Sequence, residues 1–349
     1  MFLKILYHFL KFNLIYYIII IIIKINSNFN KENESLVLPK ISIYLPVYNK
    51  EKYLLNSIKS IQMQSLNEVE IIIINDNSTD NSLNILKRLI EKDHRIKILN
   101  NNKNYGVLYC RIFGMLKSSG EYIMSLDPDD RFTKKNNLKY LYQIANKLKV
   151  DLLSFAYSEN NRYDIKCYNF NNIIKQPLLF ESAFFIQNYG IKDYLLWNKL
   201  IKKNIIIKIY NLFKKKINLK WNYGEDTILS ILINKIAKSM ICIKKVIYKY
   251  NRNVDSLMSN RYNTLEIQNR LYILEMLREI FNKENENKYI EGYLEEFFIQ
   301  IKDKRLFSII KNNTDIKGTL INILKISEKH IRFSESITKS INNLINILN

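Results

Sequence analysis

The sequence predicts an α/β fold with a mostly parallel sheet flanked by helices, and three observations support this prediction. Between residues 39 and 126, apolar runs of strand length alternate with segments whose apolar residues recur at helical spacing. The run at 69–74 is apolar at nearly every position, which is typical of a strand covered on both faces. Polar clusters follow three of the strands, and right-handed crossovers place the ends of parallel strands on one edge of a sheet.

The predicted elements follow one another along this part of the chain. A strand at 39–48, in which apolar residues alternate, is followed by a helix that begins near Lys50. After the strand at 69–74 the same unit repeats, and the further predicted elements are a helix at 80–92, a strand at 96–99, a helix at 106–117 and a strand at 121–126.

The strand at 121–126 runs into an acidic loop that contains Asp127, Asp129 and Asp130. Pro128 cannot continue a strand ladder, so the carboxylates project past the strand end, where ligands of open α/β sheets bind. Asp127 and Asp129 are one residue apart and supply the hard oxygen ligands that suit Mg²⁺ or Mn²⁺. The alternative is a solvated acidic turn that caps the next helix. Convergence of three strand ends on one crevice favours the binding site.

Composition indicates a folded, basic protein. Apolar residues make up 47% of the 349 residues, and the formal net charge of +21 suggests an anionic partner. The basic residues form only short clusters, without a basic arm, so we expect no nucleic-acid binding. The three cysteines are far apart, and neither a disulfide framework nor a zinc site follows from their spacing.

The first residues of the chain predict a membrane connection. Residues 1–27 contain an apolar core with flanking lysines and are interpreted as a signal peptide or a signal anchor, and residues 28–39 as a linker. A buried amphipathic helix is the weaker alternative, because the block of isoleucines has no helical stripe. The expected location is therefore membrane-associated or in the secretory pathway, either ER/Golgi or cell envelope, with the side of the membrane left open.

Residues 251–349 predict a helical C-terminal extension, because apolar residues recur there at intervals of three and four. These amphipathic helices have three alternative positions: over the acceptor site, against the sheet, or on a membrane surface. Packing is the favoured role.

Six short motifs between residues 40 and 250 resemble, in the same order, the motifs of family 2 glycosyltransferases with the GT-A fold. They are LPVYN at 45–49, NDNSTD at 75–80, NYGVLYCR at 104–111, GEYIMSLDPDD at 120–130, WNKL at 197–200 and GEDT at 224–227. The Q-x-x-R-W motif of the processive members is not present, which argues against a polymer synthase. The resemblance therefore implies a GT-A domain at 40–250 in a non-processive, inverting enzyme.

The motifs depart from the family pattern at three positions. Asn75 stands where the family commonly has Asp, Asn77 where it has Gly, and Cys110 where it has Ala. The aspartate that contacts the nucleotide base in the family is retained as Asp76. Asn77 is compatible with the family conformation because Asn tolerates a left-handed backbone.

The resemblance implies a division of the site between donor and acceptor. Asp226 is the implied catalytic base, and the alternative is an acid that only caps the helix it opens. A divalent cation, Mn²⁺ or Mg²⁺, is assigned to Asp127 and Asp129. The donor nucleotide is assigned to a larger set: Pro46, Tyr48, Asp76, Arg111 and Asp127. Tyr48 and Asp76 would bracket the nucleobase.

The implied partners follow from this chemistry. They are a nucleotide-sugar donor, with a UDP-sugar favoured, and a glycan, lipid-linked or protein acceptor. The implied reaction is hexosyl or N-acetylhexosaminyl transfer. For Arg111 the alternative is a surface arginine that pairs with a nearby acid, and Trp197 is interpreted either as support for the acceptor or as a core residue. For the whole chain the alternative is a catalytically inactive GT-A module that binds a nucleotide sugar or acts as a scaffold.

Overall fold

The structure is a computed structural model that describes residues 38–159, 173–175, 195–213, 224–251 and 335–348, with single helical positions between 271 and 325. Residues from Pro39 onward belong to one compact unit. The predicted signal segment and most of the linker lie outside the described residues. Of the predicted helical extension, the structure describes one helix at 335–348 and otherwise only single helical positions between 271 and 325.

The described strands form one sheet. Their bounds are β1 (Ile41–Val47), β2 (Val69–Asn75), β3 (Ile96–Asn100), β4 (Tyr122–Ser125), β5 (Arg131–Phe132), β6 (Leu152–Glu159), β7 (Ile174–Lys175), β8 (Lys199–Lys202) and β9 (Ser239–Tyr250). The helices are α1 (Glu51–Gln62), α2 (Ser82–Ile90), α3 (Val107–Lys117), α4 (Asn137–Leu148), α5 (Lys203–Phe213), α6 (Glu225–Ile236) and α7 (Glu335–Leu348). The elements predicted between 39 and 126 are all present.

The sheet is mixed, with the order β3-β2-β1-β4-β8-β6-β9-β5, and β7 pairs with β9. Strands β1 to β4 are joined by parallel pairings, as predicted. Strand β8 is antiparallel to both β4 and β6, so β6 returns to the direction of β4, and β9 is parallel to β6. The short strands β5 and β7 are antiparallel to β9. The sheet is therefore mostly parallel, and the parallel strands end at one edge.

Side chains of successive strand residues point to opposite faces of the sheet. Helices cover both faces and bury both sets of side chains. On β4, Tyr122 and Met124 belong to the core beneath α1, α2 and α4. Ile123, between them, belongs to the core beneath α3, α5 and α6. Every residue of β2 is buried, which confirms that this strand is covered on both faces.

Helix α3 lies unusually close to the sheet, and this position carries Arg111 to the sheet edge. A Cβ atom on Gly114 would lie 2.7 Å from Ile74 Cδ1 and 2.9 Å from Tyr44 Cβ. Any larger residue at this position would push α3 away from β1 and β2.

Two further observations concern features expected from the sequence. No helix among the described residues has the length and apolarity needed to cross a membrane. Cys242 is disulfide-bonded, which the cysteine spacing did not predict, and Cys110 is a buried free thiol.

Candidate functional site

The loops that follow β1 and β2 meet at the carboxyl edge of the sheet and are held together by hydrogen bonds. Asn49 Nδ2 donates to Thr79 Oγ1, and the amide of Thr79 donates to Asn49 Oδ1 at 2.8 Å. The amide of Glu51 donates to Asp80 Oδ2 at 3.0 Å. Asn77 has a φ of 59°, which confirms that Asn replaces the family glycine in a left-handed conformation. The two loops therefore form one rigid wall of the crevice.

Pro46 and Tyr48, both predicted to contact the nucleotide, lie on this wall. Pro46 occupies β1 opposite Ile74 of β2. Tyr48 follows β1 and is 45% exposed, so its ring is available for stacking against a planar ligand.

Asp76 is buried and anchors the loop that leads into α3. Its Oδ1 accepts hydrogen bonds from Asn101 Nδ2 at 2.7 Å and from the amide of Tyr105 at 2.9 Å. Its Oδ2 accepts from the amide of Gly106 at 2.8 Å. A carboxylate has about four acceptor sites, so three are occupied and little capacity is left for a nucleobase. Asp76 thus has a clear structural task in addition to the nucleobase contact predicted for it.

The three carboxylates of the acidic loop after β4 contact three different partners. Asp127 Oδ1 lies 3.1 Å from Arg111 Nη1. Asp129 Oδ2 lies 2.8 Å from Lys50 Nζ. Asp130 is buried at the other side of the loop and contacts β9. The sequence predicted one acidic cluster, whereas the structure shows three carboxylates with different environments.

Asp130 fixes the position of the acidic loop. Its Oδ2 accepts a hydrogen bond from Tyr248 Oη at 2.7 Å, and its Oδ1 accepts from the amide of Asn251 at 2.8 Å. The amide of Asp127 donates to Tyr248 Oη at 3.1 Å. Burial raises the pKa of Asp130 well above its ordinary value. Asp130 therefore holds the loop against β9 while Asp127 and Asp129 face the crevice.

Arg111 is the centre of the site. It lies on α3 and is 4% exposed, so it is not the surface arginine considered as an alternative. Its Nη1 donates to Ser125 Oγ at 2.8 Å in addition to the contact with Asp127. Its Nε lies 3.3 Å from Glu225 Oε1 and 3.2 Å from Asp226 Oδ1. One guanidinium therefore joins the acidic loop to the first turn of α6.

The first turn of α6 places Asp226 beside this guanidinium. Gly224 precedes the helix with a φ of 77°, a conformation that a side chain rarely adopts. The N-cap position is Gly224 and no side chain caps the helix, whereas Asp226 lies in the first turn, where an acid favours the helix whatever its other role. Its side chain is 30% exposed. The atom Oδ1 is buried and accepts no hydrogen bond from the described residues, although Arg111 lies close by.

The charges of this cluster are not balanced. Three carboxylates, Asp127, Glu225 and Asp226, contact one guanidinium. Burial and the neighbouring Asp226 raise the pKa of Glu225 from 4.5 to about 8, although Arg111 opposes the shift. Burial also raises the pKa of Asp127 above its ordinary value. For Arg111, burial alone would lower the pKa, but Asp127, Asp226 and Glu225 raise it well above its ordinary value. Such strongly shifted groups in a crevice are typical of functional sites.

The donor set for a divalent cation is present but small. Asp127 and Asp129 each use one carboxylate oxygen for a side-chain cation, and the other oxygen accepts no hydrogen bond from residues that the structure describes. Within those residues no group of three His, Cys, Asp or Glu side chains could hold a metal. Two carboxylates suit Mg²⁺ or Mn²⁺, which keep several waters and take phosphate oxygens as further ligands. The assignment to Asp127 and Asp129 fits this donor set and stays a prediction.

Trp197 is a core residue in the structure. It is 4% exposed, and its ring stacks on Tyr248 at 4.4 Å and on Tyr250 at 5.7 Å between centroids. Tyr248 also donates a hydrogen bond to Asp130, so these stacked rings help to position the acidic loop.

Several residues of the site were not predicted from the sequence. Ser125 and Glu225 contact Arg111, Lys50 contacts Asp129, and Tyr248 and Asn251 hold Asp130. Glu225 and Ser125 lie inside motifs that the sequence had already singled out, and Lys50 follows another. The sequence contains no comparable signal for Tyr248 and Asn251, which reach the loop from more than a hundred residues away.

Comparisons with known proteins point to one family. The model of the family "Glycosyl transferase family 2" matches residues 42–210. An uncharacterized glycosyltransferase of Haemophilus influenzae is 30% identical over 222 residues, covering 61% of this chain and 87% of that protein. The GalNAc(5)-diNAcBac-PP-undecaprenol beta-1,3-glucosyltransferase of Campylobacter jejuni is 30% identical over 206 residues, covering 51% of this chain and 66% of that enzyme.

Among solved structures, S. aureus TarS 1-349 in complex with UDP-GlcNAc is similar in fold. The TM-score is 0.60 at 18% sequence identity, and the alignment covers 88% of this chain and 83% of that chain. At this identity the likeness concerns the fold alone. It confirms the predicted α/β fold with flanking helices.

Proposed function

The chain belongs to glycosyl transferase family 2 and is a glycosyltransferase, and we propose that it transfers a sugar from a nucleotide-sugar donor to an acceptor hydroxyl with inversion at the anomeric carbon. The observation that carries this proposal is the pair of contacts made by Arg111. The guanidinium reaches Asp127 on the acidic loop at 3.1 Å and Asp226 on α6 at 3.2 Å. The predicted donor half and acceptor half of the site thus lie on either side of one side chain.

Asp226 is proposed as the base. The acceptor hydroxyl transfers its proton to the Asp226 carboxylate while its oxygen forms a bond to the anomeric carbon. The bond from that carbon to the diphosphate oxygen breaks on the opposite face, and its electron pair leaves with the diphosphate. Asp226 suits this role because its side chain is partly exposed while Arg111 Nε lies 3.2 Å from one of its oxygens. A positioned base contributes about 10²–10⁴-fold in rate.

The nucleotide is proposed to lie along the wall formed by the first two loops. The exposed ring of Tyr48 would stack on the base, and Pro46 would border it. Asp76 would accept the imide N–H through its remaining acceptor site while its other sites hold the loop before α3. We propose a UDP-sugar donor, in line with the UDP-GlcNAc bound to the TarS structure. The transferred group would be a hexosyl or N-acetylhexosaminyl unit.

Asp127 and Asp129 are proposed to hold Mn²⁺ or Mg²⁺, which would neutralise charge on the departing diphosphate as a Lewis acid. Arg111 keeps the Asp127 carboxylate oriented toward the crevice, and Asp130 fixes the loop that carries both acids. The chain's own contribution is therefore to hold two hard oxygen ligands next to the base.

We further propose that residues 40–250 form the catalytic domain and that residues 251–349 extend it with helices. The segment 1–27 would attach the protein to a membrane as a signal anchor or direct it there as a signal peptide. A lipid-linked acceptor, the kind of molecule in the name of the Campylobacter jejuni relative, would fit this arrangement, with a glycan or a protein as the other acceptor classes. The protein would then act at a membrane, in the secretory pathway or the cell envelope.

The proposal is tested by incubating the protein with a panel of UDP-, GDP- and dTDP-sugars, Mn²⁺ and membrane lipid extracts. We expect release of nucleoside diphosphate from a UDP-sugar. Proton NMR of the product should show the anomeric configuration opposite to that of the donor. Donor binding without turnover of any sugar would contradict the proposal and indicate an inactive binding module. Retention of configuration would contradict the assigned mechanism.

A further inference from the structure

Lys50 is a side-chain cation that the proposed reaction does not use. It lies between β1 and α1, and its Nζ is 2.8 Å from Asp129 Oδ2. The Lys50 and Asp129 side chains are only 22% and 16% exposed. The pair therefore lies inside the crevice rather than on the open surface, and it occupies a carboxylate that is proposed to hold a divalent cation.

Both partners of this pair are held by their main chains. The amide of Lys50 donates to Ser82 Oγ at 2.9 Å, and its carbonyl accepts hydrogen bonds from the amides of Tyr53 and Leu54 at 3.0 Å each. On the other side, the carbonyl of Asp129 accepts a hydrogen bond from Asn251 Nδ2 at 2.6 Å. Because hydrogen bonds hold both backbones in place, little further conformational freedom is lost when the ion pair forms.

A divalent cation on Asp129 would meet the like charge of Lys50. Partly buried charges interact more strongly than exposed ones, because water screens them less. When Asp129 takes a cation, the Lys50 ammonium loses its carboxylate and needs another anion to remain paired in the crevice. The donor diphosphate is such an anion.

We propose that Lys50 competes with the divalent cation for Asp129, so that cation and donor bind together rather than the cation first. This inference rests on the proposed function, since it requires Asp129 to be a metal ligand. Lys50 is a positioning residue in this account: it holds Asp129 when no cation is bound and sets the coupling between the two ligands. By linkage, UDP then raises the affinity for the cation by the same factor as the cation raises the affinity for UDP.

The test is a titration of the full-length protein with Mn²⁺, followed by the EPR signal of the free ion, with and without UDP. For Lys50→Met we expect Mn²⁺ binding without UDP to be about tenfold tighter than in the wild type, the effect of removing one partly screened ion pair. The increase in Mn²⁺ affinity caused by UDP should shrink by a similar factor. Lys59→Met is the matched control, because it removes the same charge from the exposed face of α1 and should behave as the wild type does.

Two further variants keep the inference falsifiable if Lys50→Met does not fold. Lys50→Arg retains the positive charge and should keep the coupling, whereas Lys50→Gln should lose it. Equal Mn²⁺ affinities in the wild type and in the uncharged variants would overturn the inference and leave the metal role of Asp129 intact. Absence of Mn²⁺ binding in every protein, even with UDP, would overturn the inference together with that metal role.

Discussion

The two edges of the sheet bury carboxylates in opposite ways. At the amino edge, Glu70 of β2 is 3% exposed, and hydrogen-bond donors and one lysine compensate its charge. It accepts hydrogen bonds from Ser42 Oγ at 2.6 Å and from the amide of Ser119 at 2.8 Å, and it pairs with Lys97 Nζ at 2.7 Å. Burial by itself would raise the pKa of Glu70, but these partners outweigh it and hold the pKa below its ordinary value.

At the carboxyl edge the balance is reversed. Three carboxylates share Arg111, and the pKa of Glu225 rises to about 8 because of burial and the neighbouring Asp226. A buried charge without a compensating partner lowers the free energy of unfolding. The comparison indicates that the amino edge is built for stability. The uncompensated charge at the carboxyl edge fits the function proposed for that edge.

The largest expected effect comes from Arg111→Met, which removes the only cation shared by the three acids among the residues described. Leaving buried charges without their partner costs about 3–5 kcal/mol of unfolding free energy. Separation of Asp127 from Asp226 should also reduce glycosyl transfer by at least about 100-fold. Urea unfolding at pH 7 and nucleoside diphosphate release measure the two effects.

Arg95→Met is the matched control for that variant. Arg95 pairs with Asp93 at 2.8 Å away from the site. Arg95 is 18% exposed, against 4% for Arg111, and its loss leaves one carboxylate unpaired rather than three, so we expect a smaller cost of about 1–3 kcal/mol, with no change in transfer. Equal losses of stability and transfer in the two variants would show that the cluster at Arg111 has no special role.

At the other edge, Glu70→Gln should lower stability without affecting catalysis. The amide cannot pair with Lys97 and presents hydrogen-bond donors to Ser119, so we expect a loss of about 1–3 kcal/mol. Transfer per folded molecule should equal that of the wild type. Lys97→Met, which removes the exposed end of the pair, should cost less than about 1 kcal/mol. A loss of transfer in Glu70→Gln at unchanged stability would contradict the separation of the two edges.

A further expected effect is a change in the pH dependence of stability in Glu225→Gln. The pKa of Glu225 is about 8 in the folded protein, against an ordinary 4.5, so between these values the folded state binds more protons than the unfolded state. The stability contributed by the protonated form is therefore fully present below about pH 4.5 and is lost as the pH rises toward 8. Glu225→Gln should not lose stability in this way as the pH rises, because glutamine does not titrate.

Urea unfolding of the wild type and Glu225→Gln at several pH values between 5 and 8 measures this difference. The wild type should lose stability relative to the variant as the pH rises. Parallel curves would show that Glu225 does not titrate in this range.

The sequence predicted the elements from β1 to β4 because they depend on local patterns. Alternating apolar residues in β1 and the continuous apolar run of β2 indicate strands without reference to the rest of the chain. The insertion of β8 between β4 and β6 could not be predicted in this way. Its pairings join residues far apart in sequence, and a four-residue strand carries little periodic signal.

The site was predictable to the extent that its residues lie in ordered motifs. Arg111, Asp127 and Asp226 were singled out from three separate motifs, and the structure brings them together. The sequence could not show that Asp130 would turn away from the crevice toward Tyr248, because that contact depends on the path of β9. Nor could it show that Lys50 would reach Asp129 across 79 positions in the chain. The roles assigned to the site residues stay predictions.

The most direct test of the account compares donor turnover by the wild type and by Asp226→Asn, which keeps the shape of the side chain but cannot accept the proton. Both proteins are first shown by urea unfolding to be folded and then assayed for nucleoside diphosphate release with Mn²⁺ and acceptor. We expect Asp226→Asn to release nucleoside diphosphate about 10²–10⁴-fold more slowly than the wild type, with UDP binding retained. Equal rates in the two proteins would show that Asp226 is not the base and would contradict the account.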